Sequence, residues 1–196
     1  SRAFFNRVAV IGIGLIGGSL GLALKRTGFT GRVVGVSRAE TIAQALDLGV
    51  IDEGYSYEEL PAALAEADLV FLCTPIERIL ELLPQVMSTV KPGAVVTDVG
   101  STKRMIVAEA ARCSRDGVHF VGGHPMAGSE KAGVTAADPF LFQNAIYILV
   151  PDEGAVPDDK HNALVELVRT LGAKVFQLSV DDHDEVVAAI SHLPQM

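Results

Sequence analysis

Gly12-Ile13-Gly14-Leu15-Ile16-Gly17 follows directly on the apolar run Val8-Ala9-Val10-Ile11, and this junction decides the fold. The run reads as a buried strand and the glycines as the tight turn behind it. Gly12 is free to take a backbone conformation that other residues avoid, Gly14 has no side chain to obstruct a pyrophosphate, and Gly17 lets the next helix pack closely on the sheet. The unpaired N–H groups and positive dipole end of that helix, with Leu15 and Ile16 in its first turn, face the phosphates. Glycine-rich turns are common, so the flanks carry the argument. Leu15 to Lys25 has apolar residues at helical spacing and closes in Arg26-Thr27-Gly28, and Arg32-Val33-Val34-Gly35-Val36 follows as a second strand. Together they make a βαβ unit of the expected length, with Gly12, Gly14, Leu15, Ile16 and Gly17 as dinucleotide contacts.

Arg2 and Arg7 ahead of an apolar stretch imitate the front of a secretory signal, but no small-residue cleavage site follows a short apolar core. No later run of about 20 apolar residues occurs, so no membrane span is expected. The 196 residues hold one large domain, or one domain plus a fragment, and 49% hydrophobic residues suffice for a sizeable core. A formal net charge of -8 argues against nucleic acid and anionic membranes as partners. Cys73 and Cys113 are too few for a disulfide framework and lack metal spacing, so a reducing, cytoplasmic setting is expected and Cys73 is read as strand packing.

Strands and helices alternate along the chain, which predicts an α/β, doubly wound, mostly parallel sheet of Rossmann type. Helices are expected over 39–48, 57–65, 76–87, 102–113 and 158–171. Strands are expected over 69–72, 94–97, 118–121, 145–150 and 174–178. Residues 1–178 form the dinucleotide-binding domain in this division. A final amphipathic helix over 184–190 runs into Ser191-His192-Leu193-Pro194-Gln195-Met196, and residues 179–196 are read as the start of a helical domain cut off within a larger protein.

The informative polar residues follow the C-terminal ends of strands, where open parallel sheets bind their ligands. Thr74-Pro75, Asp98 to Ser101, and Gly122-Gly123-His124-Pro125 each end such a strand. Each has a plainer alternative: a helix start for Thr74-Pro75, an N-cap for Ser101, a surface turn for Gly-Gly-His-Pro. Their convergence on the edge that carries the glycine turn favours function. At the position about 20 residues past the last glycine, where a carboxylate ordinarily holds the ribose hydroxyls of NAD, stands Ser37, followed by Arg38. Serine can donate to a 2′-phosphate and arginine can pair with it, so NADP is the expected cofactor. A capping box of Ser37 and Glu40 also accounts for part of this stretch, but does not require Arg38. Of the histidines, His119, His161 and His183 fall in strand, helix and loop contexts without a second ligand at metal spacing, so no metal is expected. His192 on the terminal helix faces either crevice or core. His124, held by glycines and a proline at a strand edge, is the candidate base near pH 7.

Val121-Gly122-Gly123-His124-Pro125-Met126-Ala127-Gly128, Thr97-Asp98-Val99-Gly100-Ser101-Thr102-Lys103, Phe71-Leu72-Cys73-Thr74-Pro75 and the terminal Ser191-His192-Leu193-Pro194 occur in one order along the chain. With these segments the sequence resembles the prephenate and arogenate dehydrogenases of tyrosine biosynthesis, from about Val8 to Met196. The resemblance implies oxidative decarboxylation of a cyclohexadienol carboxylate. His124 would be the base or hydroxyl-orienting acceptor, and Ser101 its partner on the same hydroxyl and beside the cofactor. Thr74 and Pro75 would lie along the cofactor, and Glu130 and His192 near the substrate. It further implies a helical domain that forms a homodimer and supplies an arginine for the ring carboxylate, most of which lies beyond residue 196. Ser37 and Arg38 match the NADP-preferring form of the pattern. Two other readings stay open: an NADP-dependent dehydrogenase of the β-hydroxyacid type, which would place a lysine base on a later helix, and a non-catalytic NADP-sensing module, which would need neither His124 nor Ser101.

Overall fold

Both faces of the central sheet are covered by helices, which is why its strands read as unbroken apolar runs rather than alternating ones. The computed structural model describes residues 4–152 and 154–192, so Leu193, Pro194, Gln195 and Met196 of the terminal motif lie outside the described residues. Its elements are β1 (Arg7–Ile11), α1 (Leu15–Arg26), β2 (Arg32–Val36), α2 (Ala39–Asp47), β3 (Glu53–Tyr55), α3 (Leu60–Leu64), β4 (Leu69–Leu72) and α4 (Ile76–Thr89), followed by β5 (Val95–Asp98), α5 (Arg104–Arg112), β6 (His119–Pro125), β7 (Ile146–Pro151), α6 (Asp158–Thr170), β8 (Lys174–Gln177) and α7 (Val180–Ser191). The strands form one 8-stranded sheet in the order β3-β2-β1-β4-β5-β6-β7-β8. All neighbours are parallel except β6 and β7. This is the doubly wound, mostly parallel architecture expected from sequence.

The two-residue period of a strand divides β1 cleanly: Val8 and Val10 join the core with Leu20 and Leu24 of α1 and Leu164 and Val168 of α6, whereas Ala9 and Ile11 join Leu60 and Leu64 of α3, Leu83 of α4 and Ile106 of α5. Strand order reverses between β1 and β4, both of which end beside the glycine turn. There the N–H of Gly12 donates to the carbonyl of Val36 at 2.8 Å, and that of Cys73 to the carbonyl of Ile11 at 2.7 Å. The ends of β2, β1 and β4 are thus laced together, and the crevice opens above them.

Several boundaries differ from expectation for local reasons. The short β3 is absent from the sequence reading, because a three-residue strand, Glu-Gly-Tyr, shows no usable period. The helix expected over 57–65 divides into a 3-10 turn, Tyr57–Glu59, and α3, with Pro61 in the first turn of α3. Gly122-Gly123-His124-Pro125 is not a surface turn: all four residues lie within β6, paired antiparallel with β7, and are buried. The final helix begins at Val180 rather than at residue 184, because Ser179 caps it by accepting from the N–H of Asp182 at 3.1 Å.

Gly12 has φ of +90°, a conformation open to glycine, and a β-carbon there would also stand 2.8 Å from Thr74. A β-carbon on Gly17 would lie 2.0 Å from the carbonyl oxygen of Gly12, so α1 can approach β1 only because the side chain is missing. Gly17→Ala is therefore expected to destabilise the fold by about 1 to 3 kcal/mol, the usual cost of overpacking, and to displace the turn. Urea unfolding should show this loss, whereas Gly28→Ala, with open space around the added carbon but φ of +85°, should cost only the smaller strain of a left-handed residue.

Candidate active site

The cleft above the switch in strand order has a volume of about 540 Å³ and is lined by Leu15 and Ile16 of α1, Thr74 and Pro75 after β4, Ser101 after β5 and His124 of β6. Residues dispersed over more than half the chain therefore share one edge of the sheet, as the topology requires. Gly14 stands at the head of α1 with open space where its side chain would be. The first turn of α1 holds no acidic residue, while Lys25 and Arg26 sit in its last turn, so the positive end of the helix dipole faces the cleft uncancelled. The buried hydroxyl of Thr74 has no hydrogen-bond partner among the described residues. An open glycine, an uncapped helix N-terminus and an orphaned hydroxyl fit the diphosphate and ribose of a dinucleotide.

Ser37 and Arg38 follow Val36, whose carbonyl holds Gly12, and so flank the far end of the same crevice. The capping-box alternative fails here, since the helix N-cap is Arg38 and no side chain caps α2. Ser37 is buried with its N–H donated to the carbonyl of Tyr55 at 3.1 Å, and Arg38 is exposed with no ion pair among the described residues.

At the other end of the cleft, the β5–β6 ladder stops at Thr97 and Val121, and a side chain takes over. Asp98 accepts the N–H of Gly123 on Oδ1 at 3.1 Å and the N–H of Gly100 on Oδ2 at 2.8 Å, and its Oδ2 also receives Lys103 Nζ. Asp98 and Lys103 are both fully buried. Burial pushes the Asp98 carboxyl up and the Lys103 ammonium down, and each charge opposes the other's shift. Lys103, not Ser101, is the N-cap of α5, which leaves Ser101 exposed on the turn at the cleft.

His124 is buried on β6, and its Nδ1 lies 2.9 Å from Nε2 of His183 on α7. Nδ1 of His183 in turn lies 3.2 Å from Oδ1 of Asp184, and Asp184 is held by Arg104 Nε at 3.3 Å. The sequence places His183 in a loop without a second metal ligand; in the structure it is a fully buried helical residue. Starting the helix at residue 184 hid the signal. Begun at Val180, the helix places Val180, His183, Asp184 and Val187 on one inward stripe at helical spacing, and these are its less exposed positions. His192 is the C-cap, about half a turn out of phase with His183 at ~100° per residue, and is exposed outside the cleft lining. Glu130 is likewise exposed and does not line the cleft. His119 bonds the carbonyl of Ala155 and His161 the amide of Gln177, both away from the cleft. Burial keeps the Cys73 thiol protonated at the end of β4.

Residues 20–177 match the family described as prephenate dehydrogenase, nucleotide-binding domain. The chain is 39% identical over 195 residues to a prephenate dehydrogenase of Bacillus subtilis, an alignment covering 97% of this chain and 51% of the relative. It is 40% identical over 193 residues to one of Lactococcus lactis, covering 97% and 51%. Among solved structures, the arogenate dehydrogenase of Synechocystis aligns with a TM-score of 0.86 at 37% identity, over 95% of this chain and 64% of that one. The prephenate dehydrogenase of Aquifex aeolicus in complex with hydroxyphenyl propionate and NAD+ aligns with a TM-score of 0.87 at 32% identity, over 95% and 64%. The chain spans about half the length of the curated relatives it matches.

Burial, then the neighbouring His183 and Lys103, bring His124 down to about 4, below the ordinary histidine value of about 6.5. The imidazole is therefore neutral at pH 7. In the unfolded chain it takes up a proton as pH falls below about 6.5, whereas the folded chain resists until about 4, so acid favours unfolding across that window. The urea midpoint should fall from pH 6.5 to pH 4, and His124→Asn should flatten the slope there while leaving it unchanged above pH 7.

Proposed function

We propose, for a chain that belongs to the prephenate dehydrogenase family through its nucleotide-binding domain, that it is the cofactor-holding part of an enzyme that oxidatively decarboxylates prephenate or arogenate with NADP. The observation that carries this reading is the presence of His124 and Ser101 in the same cleft as the glycine turn. A nicotinamide nucleotide bound there supplies the acceptor for the hydride that leaves the carbinol carbon. His124 is neutral, buried and free of hydrogen bonds at Nε2 among the described residues, so it can take the proton of the substrate hydroxyl as the carbon–oxygen double bond forms. Ser101 lies within the same cleft to bond that hydroxyl. Loss of the ring carboxylate as CO2 then completes an aromatic ring, which makes the overall step irreversible.

NADP rather than NAD is proposed on the strength of Arg38. It stands exposed beside the crevice with no carboxylate partner among the described residues, and position 37 carries no acid to repel a 2′-phosphate. Residues 179–196 are proposed to open a helical domain that pairs two subunits, a reading supported by the end of the family match at residue 177 and by Val186 and Ile190 exposed on α7. Glu130 and His192 would reach substrate only from that side. No helix among the described residues is long and apolar enough to cross a membrane, and a cytoplasmic enzyme is proposed.

Arg38→Ala should weaken NADP binding by about 1.5 to 3 kcal/mol, the worth of a hydrogen bond to a charged group, and leave NAD binding nearly unchanged by calorimetry. Equal losses for both nucleotides would remove the basis for NADP. In the complete enzyme assayed with prephenate, arogenate and a β-hydroxyacid, His124→Ala should lower turnover roughly 10²- to 10⁴-fold without a matching change in nucleotide affinity. Retained turnover, or turnover only with the β-hydroxyacid, would overturn the proposed reaction.

A further inference from the structure

We infer that His183, oriented by Asp184, is a positioning residue that locks His124 in one tautomer, with the proton on Nδ1 and the lone pair of Nε2 turned to the cleft. The inference deepens the proposed function and rests on His124 being the proton acceptor there. It follows from counting protons along one line of atoms. A carboxylate only accepts, so the His183 nitrogen 3.2 Å from Asp184 Oδ1, its Nδ1, carries hydrogen. A neutral His183 then has a bare Nε2. That bare nitrogen lies 2.9 Å from His124 Nδ1, which must therefore be the donor. His124 is left with an unprotonated Nε2, the form a base requires.

The opposite arrangement is disfavoured at each step. If His183 donated from Nε2 while neutral, its bare Nδ1 would confront a carboxylate oxygen. If it donated as a cation, a charge would sit on a fully buried ring whose carboxylate neighbour is already held by Arg104. The charged and titratable groups around the pair are Lys103 at the head of α5, itself bound to Asp98 of β5, with Arg104 of α5 and Asp184 of α7 on the outer side. The three-residue line has a second consequence. When His124 takes a proton on Nε2 it keeps donating from Nδ1, so the new imidazolium gains a polarised partner at the moment it forms, as a buried carboxylate does for the histidine of a serine hydrolase.

The sequence interval between the two rings explains why this link belongs to tertiary structure. They are brought into an edge-to-face arrangement, with centroids 5.1 Å apart, only when α7 packs against α5 and β7. α7 therefore does more than begin the next part of the chain.

The test is long-range 1H–15N correlation on the 196-residue chain labelled with 15N-histidine, near pH 7.5, with His124→Asn used to assign the signals. The expected spectrum has His124 protonated at Nδ1 and bare at Nε2; a protonated Nε2 overturns the inference without any further variant. In the complete enzyme, His183→Leu should lower kcat about 10- to 100-fold, the scale on which outer partners that orient a histidine act, with nucleotide affinity unchanged. His183→Gln, whose amide oxygen can still accept from Nδ1, should recover much of that loss. Equal loss in both variants, or loss in neither, overturns the positioning role. If the tautomer is as expected but the complete enzyme oxidises neither prephenate nor arogenate, the lock stands and the proposed reaction falls.

Discussion

A single buried carboxylate, Asp98, determines where the reactive groups of this cleft stand. The parallel ladder between β5 and β6 ends at Thr97 and Val121, and beyond it the strands need another tie. Asp98 provides it by receiving the N–H groups of Gly123 and Gly100 while pairing with Lys103. One side chain thus fixes the last residues of β6, the turn that carries Ser101, and the start of α5. Such a pair is poor evidence for stability as such, because desolvation offsets most of the attraction, yet removal of one partner would leave an uncompensated charge worth several kcal/mol. Its contribution is to geometry: a β-carbon at Gly123 would meet the Asp98 carbonyl at 2.4 Å, so the approach is close and its partners are few.

The opposite wall of the cleft is made by different means. There the backbone alone does the work, through the bonds from Gly12 to Val36 and from Cys73 to Ile11 that bind three strand ends to one another. A wall built of amides, an open glycine and a helix terminus suits an anionic, extended ligand that is held in many places. A wall built of side chains suits a reaction that depends on one nitrogen. The division of labour follows from the sheet itself, whose rigid interior, covered on both faces, holds the two walls in a constant relation.

Much of this was legible in the sequence because it is local. The glycine turn, the strand Leu69–Leu72 and the helix from Ile76 announce themselves by period and by punctuation, and the topological rule brings Thr74, Ser101 and His124 to one edge without further information. What was not legible depends on partners far away in the chain. Gly122-Gly123 looks like a turn until β7 pairs with it, and Ser37 looks like a cap until Arg38 is seen to be the N-cap of α2. His183 was hidden for a further reason. A polar residue on an inward helical stripe carries no label saying which group will satisfy it, and the start of the helix, set by the Ser179 cap, had to be known before the stripe could be drawn.

The low proton affinity of His124 then has a simple origin and a use. Burial and two cationic or potentially cationic neighbours keep the ring neutral, which makes it a weak base in the free protein and a ready one at neutral pH. A base with so low an affinity would give little driving force if the environment were fixed, but its charge is opposed mainly by lost solvation. A bound anionic ligand would lessen that penalty by adding negative charge close by, and the His183–Asp184 line offers a hydrogen bond that strengthens as the ring becomes charged. Proton uptake by His124 would thereby be easier with an anionic ligand in the cleft than without one. On this view the arrangement couples the basicity of His124 to occupancy of the site, against the opposing charge of Lys103, which its pairing with Asp98 offsets only in part.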